Sequence, residues 1–202
     1  MSRPFLKYPN ENMVVERYGN PHYSVGVASM QGWKMKSEDY YSVKLRLRNN
    51  PNLAYYAMFD GHCGSATAEY LSIHFVSMVE SLIDPTDPTQ LTEAFMHMDA
   101  TILTHPDKQL SKSGSTAVVV ISKINAHDSY MDLTIASVGD SMCMVVSENV
   151  DVDVDDDKNL QDIKFISVPH LPNQPLEQSR IDKAGGFVKQ SKLNCIEMLS
   201  QY

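Results

Sequence analysis

Two short, unbroken apolar runs constrain this chain more than any other feature. Leu53 to Phe59 reads Leu-Ala-Tyr-Tyr-Ala-Met-Phe, and Thr116 to Ile121 reads Thr-Ala-Val-Val-Val-Ile. Both are too short for good helices and are expected as central strands. Between them the period changes. Ala68, Leu71, Phe75, Met78 and Leu82 are spaced three and four apart, and so are Leu91, Phe95, Met98 and Ile102, which predicts two amphipathic helices. The second has a start signal, with Asp87 as N-cap, Pro88 at the first helical position and Gln90 completing a capping box.

Strand patterns flank this helical centre. Tyr23, Val25 and Val27 alternate with small residues, and Tyr41, Val43, Leu45 and Leu47 alternate with polar ones, as half-buried strands do. Met131 to Val138 and Met142 to Val146 flank Gly139-Asp140-Ser141, which predicts a hairpin with Asp140 at its tip. A strand over Ile163 to Val168 follows, then a short helix from Leu176 to Ala184 that stops at Gly185-Gly186. Residues 1–22 are rich in Pro, Asn and charge without periodicity and are expected to form an N-terminal arm. Strands on either side of grouped helices indicate an α+β fold.

Composition narrows the function. With 202 residues, one domain with a real core is expected. A formal net charge of −8 has the wrong sign for binding nucleic acid through its phosphates. No apolar run reaches membrane-spanning length, and the start does not resemble a signal peptide, so neither nucleic acid nor membrane is an expected partner. Three widely separated cysteines, Cys63, Cys143 and Cys195, form neither a disulfide framework nor a zinc spacing. Reduced thiols and a cytoplasmic or nuclear location are expected, with Cys143 a buried, inert thiol.

The local signal for chemistry is Asp60-Gly61-His62, where the first apolar run gives way to Gly64-Ser65 and a helix. A carboxylate held at a strand end, beside a glycine that lets backbone carbonyls approach, suits a hard divalent cation such as Mg²⁺ or Mn²⁺. Asp-Gly is equally a common turn dipeptide. Upstream, Lys34 precedes the adjacent carboxylates Glu38 and Asp39, which repel one another unless a cation lies between them.

Five segments in order resemble the blocks of the metal-dependent serine/threonine protein phosphatases, also called type 2C. They are Ser29-Met30-Gln31-Gly32-Trp33 through Glu38-Asp39, Phe59-Asp60-Gly61-His62-Cys63-Gly64, Ser113-Gly114-Ser115-Thr116-Ala117, Val138-Gly139-Asp140-Ser141, and His170 through Asn173, Pro175, Glu177, Arg180 and Ala184-Gly185-Gly186. The resemblance spans residues 23–188 as a phosphatase-like domain and leaves 189–202 as a divergent tail. It implies a sandwich of two antiparallel β-sheets flanked by helices, incomplete at the C-terminus, around a two-metal Mg²⁺ or Mn²⁺ site. Asp60 would bridge both ions, Gly61 would lend its carbonyl, Glu38 and Asp39 would complete the cluster, and Asp140 would lie near a third ion. Two ions about 4 Å apart would supply a hydroxide near neutral pH to attack phosphorus. His62 would protonate the departing serine or threonine oxygen, and Lys34, standing where the family has arginine, would hold the substrate phosphate with less directional hydrogen bonding. Phosphoprotein substrates and a monomeric state are implied.

Other readings of these residues are weaker. A cysteine-dependent phosphatase would need arginine six residues after Cys63, where Glu69 stands. The acidic run Asp151 to Asp157 lacks the glycine and terminal glutamate of an EF-hand and is expected as a solvated loop. The family's further metal-binding aspartates follow the Gly-Gly block, whereas no aspartate follows Val188 here. Two expectations therefore stay open: an active phosphatase, or a truncated or impaired pseudophosphatase that acts as a binding module.

Overall fold

The computed structural model describes residues 5–125, 130–147 and 163–188. The acidic run at 151–157 and the tail at 189–202 lie outside the described residues.

The two apolar runs are neighbouring strands of one antiparallel sheet. β3 (Asp39–Lys44), β4 (Leu53–His62), β6 (Ala117–Ile124) and β7 (Met131–Val138) lie in that order, and the two-residue β5 (Gly114–Ser115) continues the pairing at the end of β4. Side chains alternate across the sheet. Leu53, Tyr55, Ala57 and Phe59 of β4 and Ala117, Val119 and Ile121 of β6 point to one face and are buried. Helices α1 (Ala66–Ser81) and α2 (Pro88–Thr104) close that face through Ala68, Leu71, Phe75, Val76 and Val79, and through Leu91, Ala94, Met98 and Ile102. The Phe75 and Phe95 rings meet at 4.7 Å between centroids. Met78, Leu82 and Phe95 are only partly buried at the edge of this core.

The start of α2 is built as its sequence predicts, with one change. Asp87 accepts the Thr89 N–H at 2.8 Å, but the Gln90 side chain reaches back to Asp84 N–H rather than to that of Asp87. The Asp87 N–H instead donates to the Asp84 carbonyl, so the turn before the helix takes over half of the capping box.

On the other face lie two smaller antiparallel pairs. β1 (Phe5–Gly19) pairs with β2 (Ser24–Lys34), and Tyr23, just before β2, reaches the central sheet to place its hydroxyl 3.1 Å from Ser122 Oγ and its ring edge-on to Tyr56. β8 (Met144–Val146) pairs with β9 (Ile163–Ile166), and Val145 and Phe165 line an apolar cavity together with Met131, Leu133 and Ile135 of β7. The α+β arrangement of antiparallel sheets and helices is thus observed. α3 (Pro175–Lys183) ends as predicted, with Gly185 at φ +82° and Gly186 N–H bonded to Ile181 O.

Two expectations are corrected. Residues 5–19 are a strand, not an arm. Composition concealed it because Pro9, Asn10, Glu11 and Asn12 interrupt the alternation at an irregular register, while Asn20 folds the chain back by accepting from His22 and Tyr23 N–H. Nor do 131–138 and 142–146 form a hairpin. β7 pairs with β6 and β8 with β9, because Gly139, at φ +85°, turns the chain out of the central sheet.

Candidate active site

Asp60 is within β4, which runs three residues beyond its apolar run, to His62. Its backbone is held on one side by Thr116: the Thr116 N–H donates to Asp60 O at 2.9 Å, and Thr116 Oγ1 accepts the Asp60 N–H at 3.2 Å. On the other side Asp60 is the register partner of Asp39, and the next residue, Gly61, donates its N–H to Glu38 O at 3.1 Å. Asp39 and Asp60 are therefore a pair without mutual backbone hydrogen bonds, the arrangement in which facing side chains approach most closely.

Like charges directly opposite one another destabilise a sheet. Here a cation relieves them. Lys34, the last residue of β2, places Nζ 3.6 Å from Asp39 Oδ1 and 3.6 Å from Asp60 Oδ1. The Asp60 pKa is raised, first by partial burial and then by the hydrogen bond with Asp39, while the charge of Lys34 opposes the rise. The side chain remains 53% exposed, so this carboxylate is open to ligands from solvent.

Glu38 behaves differently. Its carboxylate accepts the Gly64 N–H at 3.0 Å, in the connector that carries β4 into α1. That connector includes Cys63 at φ 60° and Gly64 at φ 121°. Glu38 thus serves the loop following the strand. Gly61 has a packing reason to be glycine: a Cβ there would stand 2.4 Å from Glu38 O and 3.1 Å from the Ala68 Cβ. Cys63 takes up a half-exposed turn position with a left-handed backbone. Cys143 is a free, half-buried thiol whose pKa is raised by burial.

His62 pairs with Gly114 of β5, and its imidazole lies directly over that glycine. Asp140 is exposed on the turn after β7. It reaches Asp60 only through intermediates: Thr116 Oγ1 is hydrogen-bonded to Ser141 Oγ, and the Thr116 side chain packs against Gly139. The structure therefore gathers Lys34, Asp39 and Asp60 directly, sets His62 and Gly61 beside them on β4, and leaves Glu38 and Asp140 at the periphery. Thr116 and Gly114 were not singled out from the sequence. The only signal for them was their place in Ser113-Gly114-Ser115-Thr116, which reads equally well as a strand-entry turn.

Among the described residues, no group of three or more Asp, Glu, His or Cys side chains converges as ligands. Two facing carboxylates still form a hard-oxygen donor set of the kind that holds Mg²⁺ or Mn²⁺ with waters completing the shell. The ammonium of Lys34 shows that positive charge fits between them.

Comparison with known proteins shows the family and the fold. The family model "Protein phosphatase 2C" matches residues 23–199. Probable protein phosphatase 2C 17 of Arabidopsis thaliana is 34% identical over 177 residues, covering 85% of this chain and 56% of that protein. Protein phosphatase 2C 1 of Paramecium tetraurelia is 26% identical over 205 residues, covering 95% of this chain and 62% of that protein. A crystal structure of a phosphatase from Toxoplasma gondii shares the fold, with a TM-score of 0.56 at 18% identity over 92% of this chain and 61% of that one. The chain thus spans less than two thirds of the length of these relatives. With the family model covering most of its length and the facing aspartates lying within the matched region, the chain belongs to the protein phosphatase 2C family.

Proposed function

We propose that this chain is a protein serine/threonine phosphatase acting on phosphoproteins with Mg²⁺ or Mn²⁺. The observation that carries this reading is the Asp39 and Asp60 pair, brought face to face by strand register beside the cation Lys34. Asp39, Asp60 and the Gly61 carbonyl would hold the metal, which when bound supplies an activated water and neutralises phosphate charge. The protein does the rest by position. β3 and β4 hold the carboxylates rigid, so little reorganisation is needed when substrate arrives. Lys34, at the edge of the pair and about two fifths exposed, can turn from the carboxylates to a phosphate dianion without leaving the site. His62, seated on Gly114, would give a proton to the departing alkoxide. Glu38 would support the site by ordering the Gly64 turn, and Asp140 would act from its exposed turn.

The test is hydrolysis of a phosphothreonine peptide with and without Mn²⁺, using Asp60→Asn as control. Mn²⁺-dependent turnover well above the control is expected. Turnover no higher than the control would refute the reading.

A second reading is a family member that binds partners without turnover. It is favoured by Lys34 engaging both carboxylates at once and by the Glu38 carboxylate being engaged by the Gly64 N–H. It predicts no melting-temperature increase on adding Mn²⁺, where the phosphatase reading predicts a rise.

A further inference from the structure

Asp60 sits in an unusual rung of the ladder. The register runs unbroken from Met58↔Val118 to Gly61↔Ser115, so Thr116 stands opposite Asp60, yet β5 ends at Ser115 and β6 begins at Ala117. In a regular antiparallel rung the Asp60 N–H would bond to the Thr116 carbonyl. Instead the Thr116 side-chain oxygen accepts it, at 3.2 Å, while the Thr116 carbonyl accepts from Ser115 Oγ at 2.7 Å. The same Thr116 hydroxyl is hydrogen-bonded to Ser141 Oγ, one residue after Asp140. The side chain also holds the turn by contact. Gly139 lies so close that a Cβ on it would stand 2.8 Å from Thr116 Cγ2. One residue therefore joins the backbone of Asp60 to the turn that carries Asp140.

We infer that Thr116 is a positioning residue whose hydroxyl couples the placement of Asp60 to that of the Gly139-Asp140-Ser141 turn. Replacing a backbone acceptor with a side-chain acceptor makes the rung depend on residue identity, which a regular rung does not. The Asp60 carboxylate hangs from the Cα bonded to the amide nitrogen so held. Loss of the hydroxyl would free that amide, loosen Asp60 against Asp39, and disconnect the Asp140 turn from β4. Partners that orient a metal ligand in this way are worth about 10-fold to 100-fold in metal affinity. The consequence for metal binding rests on the proposed function, but the positioning of Asp60 does not.

The test compares the unaltered chain with Thr116→Ser, which keeps the hydroxyl, and Thr116→Val, which keeps the branched shape. Two quantities are read: hydrogen exchange at the Asp60 amide in the metal-free protein, and Mn²⁺ binding from loss of the free-ion paramagnetic resonance signal. Thr116→Val is expected to exchange the Asp60 amide faster and to weaken Mn²⁺ binding about tenfold, with Thr116→Ser within about twofold of the unaltered chain in both. Thr116→Val behaving like the unaltered chain would overturn the inference. So would Thr116→Ser failing as badly as Thr116→Val, because packing of the methyl group would then be the operative contact. If the unaltered chain takes up no Mn²⁺, the phosphatase reading falls on that result alone, and exchange at Asp60 decides the role of Thr116.

Discussion

Gly114→Ala should separate protonation of the leaving group from metal binding. A Cβ at Gly114 would lie 2.3 Å from His62 Nε2, 2.7 Å from Cε1 and 3.2 Å from Cδ2. Carbon contacts are favourable near 3.5 Å, so the ring must retreat by about 1 Å. The imidazole is the far end of a flexible side chain, and the fold can absorb that shift with little loss of stability. Proton transfer cannot, since a misplacement of about 1 Å costs on the order of 100-fold, or about 2.7 kcal/mol of barrier. The assay is kcat/KM on a phosphothreonine peptide alongside p-nitrophenyl phosphate. The alkoxide of threonine needs a proton to depart, whereas p-nitrophenolate is stable as an anion. The peptide reaction should fall about 100-fold and the p-nitrophenyl phosphate reaction less than about tenfold, with Mn²⁺ binding unchanged. An equal loss on both substrates, or no loss on the peptide, would refute the placement of His62 as proton donor.

Further outcomes follow from the same geometry. Because the folded pKa of Asp60 is raised, its ionised form disfavours the metal-free fold; its stabilising contribution is present below about pH 3.9 and lost as pH rises through the raised folded value. Metal-free Asp60→Asn should therefore melt higher than the unaltered chain at pH 7, and the difference should vanish below about pH 3.9; a lower melting temperature at pH 7 would show that attraction to Lys34 dominates. Lys34→Arg should lower the KM for a phosphopeptide by restoring two-pronged hydrogen bonding, and an unchanged or higher KM would contradict this. The Tyr55 hydroxyl is fully buried and finds no hydrogen-bond partner among the described residues. Tyr55→Phe should stabilise the protein to urea by about 1 kcal/mol, and destabilisation would show that the hydroxyl is satisfied after all.

Much of this molecule could be read from its residues because the information was local. The runs at 53–59 and 116–121 became central strands, the spacing of Ala68, Leu71 and Phe75 became the buried face of α1, and Asp87 capped α2 through its own side chain. Burial on one face imposes a period, and a period survives in the sequence. Where the pattern misled, at 5–19 and at 139–141, the deciding factor was which strand pairs with which, and backbone hydrogen bonds leave no imprint on side-chain alternation. The site divides in the same way. Residue type and order were enough to place Asp60, Gly61, His62, Asp39 and Lys34 in one family's blocks. Only the tertiary structure put Asp39 opposite Asp60, set Lys34 between them, sent Glu38 to the Gly64 amide and made Thr116 the link to the Asp140 turn. Apart from Lys34 with Asp39, each of those is a contact between segments distant in sequence, fixed by register and side-chain direction, and such contacts have no period to be read.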